Sequence, residues 1–380
     1  LTFYDVNLRQ DYWSVTEVRN LVRAATVLKL NDEEIEKLKK QGADLKNDVA
    51  FFMPETEGPC RFGQYSKLHR ILLDKYGYND IAIVSPTSQD SYQCKGLVKP
   101  EMLMNFRKLI CQSILYQDIL EKARWHIRPY EKIKGTTDRV FYEAIANAVK
   151  AIEAGGDLLL LKASRKAAKA FEAIETVDVQ KPLVGIVGEI FVRVHQESNQ
   201  FLLRKLEELG CEGYISSVSE WISYTADTSL GYALDALKDE KSFKNIKDAA
   251  TAYAVYGYQS VVANLLMQPF SKILKDRRDH STKHILEAVG DTFSNHINGE
   301  SILSIGGTLS FMRDGCFDGV VNAMPFTCMP STVASAILKV YARGHIPFVD
   351  MVYDGSIQPN RETNLATFAF QAHQHLQARS

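Results

Sequence analysis

Gly319-Val320-Val321-Asn322-Ala323-Met324-Pro325, running on into Phe326-Thr327-Cys328-Met329-Pro330, is the stretch that decides the fold. A short apolar run of this kind reads as a strand buried on both faces. Val333, Ala334, Ile337, Leu338 and Tyr341 follow at helical spacing, so the loop joins a strand to a helix. The same order recurs far upstream. Val49-Ala50-Phe51-Phe52-Met53-Pro54 predicts a buried strand, Glu55 to Gly63 a loop, and Tyr65, Leu68, Leu72 and Tyr76 one face of a helix. Each loop carries a cysteine beside proline, Cys60 in the first and Cys328 in the second. A thiol on a turn between strand and helix stands at the rim of an α/β sheet, where ligands bind. The following helix N-terminus favours thiolate over thiol. Two such thiolates facing each other across a cleft would form part of a metal–sulfur site.

Working outward from these stretches gives the organisation. After Pro182, the run Leu183-Val184-Gly185-Ile186-Val187-Gly188-Glu189-Ile190-Phe191 predicts a buried strand. Ser198 or Asn199 caps the next helix, which carries Leu202, Leu206 and Leu209 and ends at Gly210. Tyr214-Ile215 is the strand after it, so a fresh βαβ unit opens near residue 181. Residues 100–176 read as long helices. The expected division is a helical N-terminal extension over 1–48, a first α/β domain with long helices over 49–180, and a second α/β domain over 181–380. The fold class is therefore α/β, with two doubly wound domains and a helical connection.

Bulk composition narrows the function. At 380 residues the chain exceeds one ordinary core, and 46% hydrophobic with 24% charged residues is the balance of a globular protein. A formal net charge of −1 gives no electrostatic reason for nucleic acid or an anionic membrane as partner. No apolar run reaches the ~20 residues of a membrane helix. No secretory signal is visible and the six cysteines lack small-domain spacing, which points to free thiols in a reducing cytoplasm. The chain opens at Leu1 in mid-pattern, as a piece of a longer protein would.

Among the other candidates, Cys94 ends the loop that starts at Ser85-Pro86, so it can reach the same sheet rim as Cys60. Cys316 precedes its strand at the opposite end and reads as packing. Cys111 reads as helix core and Cys211 as incidental. No CxxC pair exists, which excludes a compact zinc ribbon or ferredoxin loop. His280 and His284 share the i,i+4 spacing of two zinc ligands, but in so polar a segment they read as a solvated face. His373 and His375 read as solvated too. Gly185-Ile186-Val187-Gly188 is no dinucleotide fingerprint, and neither a phosphate loop nor a Gly-x-Ser-x-Gly elbow occurs. Glu189, Arg193 and Asn199 stand at the mouth of the sheet, as polar site residues or as local caps and pairs.

Pro59-Cys60-Arg61-Phe62-Gly63-Gln64-Tyr65 resembles a signature stretch of the 2-hydroxyacyl-CoA dehydratase and CoA-substrate-specific activase-related family. Leu73 to Asp80, Gly188-Glu189-Ile190-Phe191-Val192-Arg193, Glu220-Trp221-Ile222-Ser223-Tyr224 and Met324 to Pro330 resemble it as well. The resemblance covers roughly residues 49–375. It implies flavodoxin-like α/β domains holding an iron–sulfur cluster between them. An ATP-hydrolysing activase domain or subunit then drives a low-potential electron into the cluster, and dehydratase members pass it to an acyl-CoA. Carried over residue by residue, Cys60 and Cys328 match the motif cysteines, and Cys94 is a further candidate ligand. Arg61, Arg193 and Glu189 are candidates for contact with the cluster or with a CoA phosphate, and a homodimer is compatible with the pattern. The rival readings are a cluster-free docking or scaffold module of a larger activase chain, and a CoA- or nucleotide-binding domain without metal.

Overall fold

The computed structural model of this chain describes residues 2–5, 25–29, 50–53, 55, 60–87, 100–275, 277, 279–294, 297, 299–354, 356 and 358–379. It divides into two compact units, Leu1–Arg107 and Lys108–Ser380. The fold is mixed α/β, and every paired strand is parallel.

In the first unit β1 (Thr2–Asp5) pairs with β2 (Ala25–Lys29). Strands stand here where the sequence predicts a helical extension. Aromatic Phe3 and Tyr4 and β-branched Thr26 and Val27 favour the pleated backbone over the helix. The predicted helix cap at Asn31-Asp32 lies outside the described residues. β3 (Ala50–Phe52) crosses through α1 (Tyr65–Lys75) to β4 (Ala82–Val84), with Ala50 opposite Ala82. This is the predicted βαβ unit. The face of α1 is not the predicted one: Ser66 and Leu73 are buried, while Leu68, Leu72 and Tyr76 are exposed.

The second unit has a helical part and a sheet part. α2 (Pro100–Ile127, entering from the first unit), α3 (Thr136–Glu153) and α4 (Leu158–Glu172) form the helical part. They pack with the end of α8 (Phe243–Met267). Leu120, Phe141, Leu160, Phe171, Phe270 and Leu274 meet in one core. The helices expected with the first α/β domain thus belong with the second unit, because their apolar stripe is completed by residues after 260.

The sheet has four strands in the order β6 (Glu212–Ile215), β5 (Leu183–Gly188), β7 (Gly319–Pro325) and β8 (Phe348–Tyr353). Both faces are covered, which is why these strands are apolar throughout rather than alternating. On one face Val184, Ile186, Val321 and Ala323 pack against α6 (Leu202–Glu208) and α12 (Asn360–Arg379). On the other, Leu183, Val187 and Val320 meet Phe311 of α10 (Glu300–Asp314) and Ala342 of α11 (Met329–Ala342). α5 (Ile190–Val194), α7 (Val218–Asp239) and α9 (Thr282–Val289) complete this part. The N-cap of α6 is Phe201, at φ +59°, rather than Ser198 or Asn199; the Asn199 side-chain oxygen still accepts from Leu202 N at 3.1 Å, and Gly210 follows the helix at φ +85°, as expected.

From β5 the chain leaves to one side for β6 and later returns to the other side as β7. The C-terminal ends of β5 and β7 therefore flank a topological switch point, the place where such sheets bind ligands. Among the described residues, no helix is long and apolar enough to cross a membrane.

Candidate functional site

Two segments build the rim at the switch point. The first is Gly188-Glu189 leading into α5. Gly188 has φ +113°, and a Cβ there would stand 2.1 Å from Ala323 O, so only glycine lets β5 lie this close to β7. Glu189 N donates to Ala323 O at 2.9 Å, and the Glu189 carboxylate caps α5 by accepting from Val192 N at 2.7 Å. The second segment is Phe326-Thr327-Cys328. Thr327 has φ +62°, an unfavourable conformation for a β-branched residue. Cys328 is the N-cap of α11, with Sγ 3.5 Å from Ser331 Oγ.

Arg193 lies beneath this rim, 2% exposed. Its guanidinium donates to Gly188 O and Ser217 O, both at 3.1 Å, and comes within 3.8 Å of the Glu220 carboxylate. It ties the end of β5 to the end of β6 and is already committed to those partners. Two of its three guanidinium nitrogens are thus taken by backbone carbonyls, while the third, Nε, has no hydrogen-bond partner among the described residues, and the whole side chain is buried beneath the rim.

The electrostatics of the rim are acidic. Burial pushes Glu300, at the start of α10, up to about 7; the neighbouring Glu189 charge adds to this and Arg193 opposes it. Glu300 also accepts from Ile190 N at 3.2 Å. Glu220 is likewise pushed up to about 7 by burial, against the pull of Arg193. Burial raises the Cys328 thiol, and the Glu300 and Glu189 carboxylates raise it further, against hydrogen bonding to Ser331. This direction is opposite to the thiolate expected at this helix N-terminus, and its cause is desolvation together with two nearby acids.

A second polar cluster lies behind Glu220. Lys122 of α2 is buried and pairs with Asp279. Asp279 also accepts from Tyr214 OH at 2.8 Å and Ser217 Oγ at 2.9 Å. Asp118 accepts from Ser219 N at 2.6 Å. These groups come from three separated segments, which is why sequence patterns do not reveal them. Glu300 has a faint local signal, an acid in the first turn of a helix after Gly299.

Of the sequence candidates, Glu189, Arg193 and Cys328 come together at this rim. Cys60 precedes the 3-10 turn Arg61–Gln64 of the first unit, half-buried, and Arg61 opens that turn. Cys94 lies outside the described residues. Cys111 packs partly buried on the helical core, as expected. Cys211 is more than incidental: it is fully buried in the sheet core, which pushes its thiol up to about 12. Cys316 stands before β7, at the other end of that strand from Cys328, beside the aromatic pair Phe311 and Phe317.

The histidine expectations change. His280 precedes the N-cap of α9, Ser281, and stacks on His284 with centroids 4.7 Å apart. Both are partly buried rather than a solvated face, because Phe311 covers His280 at 6.0 Å and Asp314 lies beside both rings. His375 is likewise engaged, with Nδ1 3.1 Å from Asp318 Oδ1.

No family model, curated protein or solved structure matches this chain.

Proposed function

We propose that this chain is the iron–sulfur, electron-transfer part of an ATP-dependent reductase or of a 2-hydroxyacyl-CoA dehydratase-activating system. It would work in the cytoplasm with an ATP-hydrolysing activase domain or subunit, and with an acyl-CoA as the electron's destination. The observation that carries the reading is the position of Cys328: a soft ligand on a strained turn, at the switch point of a parallel sheet. The motif resemblance supports it independently. Strand order β6-β5-β7-β8 occupies the first four places of a flavodoxin-like sheet, and we read β3–α1–β4 as the start of a second such domain.

The residues present fit a thiolate-held group in part. Among its described residues the second unit brings one cysteine to this rim, fewer than the three or four ligands a cluster takes. A bound cluster would supply a low-potential, one-electron centre. Glu300, titrating near neutrality, can take up a proton as negative charge arrives beside it. Arg193 holds the β5 and β6 ends in place beneath the rim.

The test is anaerobic purification or iron–sulfide reconstitution, followed by visible absorption and iron and sulfide analysis. Colour and stoichiometric iron are expected, with both lost in Cys328→Ser and Cys60→Ser. A colourless, iron-free protein after reconstitution would favour the scaffold reading, and unchanged iron in Cys328→Ser rejects the ligand assignment.

A further inference from the structure

We infer a second metal site, formed by His280, His284 and Asp314, that takes a divalent transition ion, with Zn²⁺ the best match. One ligand atom from each of the three lies within 4.8 Å of the others. His280 Nε2 is 3.2 Å from one Asp314 oxygen and His284 Nε2 is 3.9 Å from the other. Ligand atoms around a tetrahedral ion with bonds of about 2.0–2.1 Å stand about 3.3 Å apart, so the pair at 3.2 Å is already at that spacing, the pair at 3.9 Å must close by about 0.6 Å and no pair by more than about 1.5 Å. The rings now lie 13° from parallel and turn toward a common centre on binding.

An independent observation points the same way. His284 Nε2 is buried and has no hydrogen-bond partner among the described residues. Such an atom is costly to leave unsatisfied, and a metal ion between it and Asp314 would satisfy it. Two imidazoles and one carboxylate suit Zn²⁺ and its first-row neighbours, and are a poor set for Mg²⁺ or Ca²⁺, which prefer oxygen. Three protein ligands leave a position for water.

This site is separate from the rim. Glu300 and Asp314 are the two ends of α10, so the sites are about 21 Å apart at 1.5 Å per residue. What the ion would hold is the segment leading into α9. There Arg277 Nε donates to Glu212 at 2.7 Å, and Asp279 anchors Lys122, Tyr214 and Ser217. The ion would thus fasten the ends of α9 and α10 over the β6 side of the sheet.

The experiment is Zn²⁺ titration by calorimetry of the untagged, chelator-treated full chain, with Co²⁺ absorption as a second readout. One ion per chain is expected, with tetrahedral Co²⁺ bands and no sulfur-to-metal charge transfer. Changing a supporting residue already weakens metal binding about 10–100-fold, so His284→Ala should cost at least about 100-fold. Asp314→Asn, which keeps the shape, should also weaken binding, and His373→Ala should leave it unchanged. Equal binding in His284→Ala and Asp314→Asn, absence of saturable binding, or Co²⁺ bands carrying thiolate charge transfer would each overturn the assignment. Iron uptake by His284→Ala after cluster reconstitution should match the parent, so the two sites fail or stand separately.

Discussion

Replacing Arg193 by Met removes a buried cation while keeping most of the side chain's bulk, and the structure sets what this should cost. The guanidinium donates to Gly188 O and Ser217 O at 3.1 Å each and faces Glu220 at 3.8 Å. A buried carbonyl stripped of its donor costs about 1–3 kcal/mol. The charge attraction across 3.8 Å is about 4 kcal/mol at an effective dielectric of 20, before desolvation is counted. Desolvation cancels much of this, and Glu220 can escape by keeping a proton, so the net loss should be about 3–5 kcal/mol. That is a large share of the 5–15 kcal/mol typical of a folded domain. The assay is urea unfolding at pH 8 followed by tryptophan fluorescence, since buried Trp125 reports on the sheet core. Glu220→Gln alone should cost less, and the double variant less than the sum of the two. The pH dependence has a definite sign. Glu220 is held near 7 against an ordinary 4.5, so the folded chain binds its proton more tightly than the unfolded chain. Stability contributed by this group is complete below about 4.5 and falls as pH rises toward 7. In Arg193→Met the fall should continue to higher pH, because the opposing cation is gone. A cost below about 1 kcal/mol, or strict additivity with Glu220→Gln, would refute the assignment of Arg193 as the tie between β5 and β6.

Two further outcomes follow from the same rim. Glu300→Gln keeps an acceptor for Ile190 N but removes a carboxylate pushed up to about 7. It should stabilise the chain by about 1–2 kcal/mol at pH 8 and have little effect at pH 4.5, read by calorimetric melting at both pH values; destabilisation at pH 8 would contradict the burial of that charge. Gly188→Ala forces a Cβ to 2.1 Å from Ala323 O at positive φ and should cost at least about 3 kcal/mol. Gly344→Ala, also at positive φ but with open space around it, should cost about 1 kcal/mol, and equal losses in both would show that φ rather than close strand approach governs Gly188.

The strand–loop–helix units are legible in the residues alone, because an apolar run bounded by proline and glycine leaves little choice of local structure. β5, β6, β7, the glycine that ends α6 and the place of Cys328 are all legible in that way. The sequence also marked Glu189 and Arg193 as lying at the mouth of the sheet. The α1 face was misjudged because periodicity tells which residues share a side, not which side meets the core. The first 48 residues misled because charged, mixed composition outweighed the short β-branched and aromatic runs that form β1 and β2. The chemical state of the rim groups emerges only once the chain is packed. Arg193 is spent on two carbonyls, Glu220 and Glu300 are pushed toward neutrality, and the Cys328 thiol is raised rather than lowered. Packing also gathered His280, His284 and Asp314, whose convergence depends on where α10 ends against α9. The physical reason is range: helix and strand follow from neighbours a few residues away, whereas desolvation and charge coupling are set by whatever distant segments the fold packs alongside.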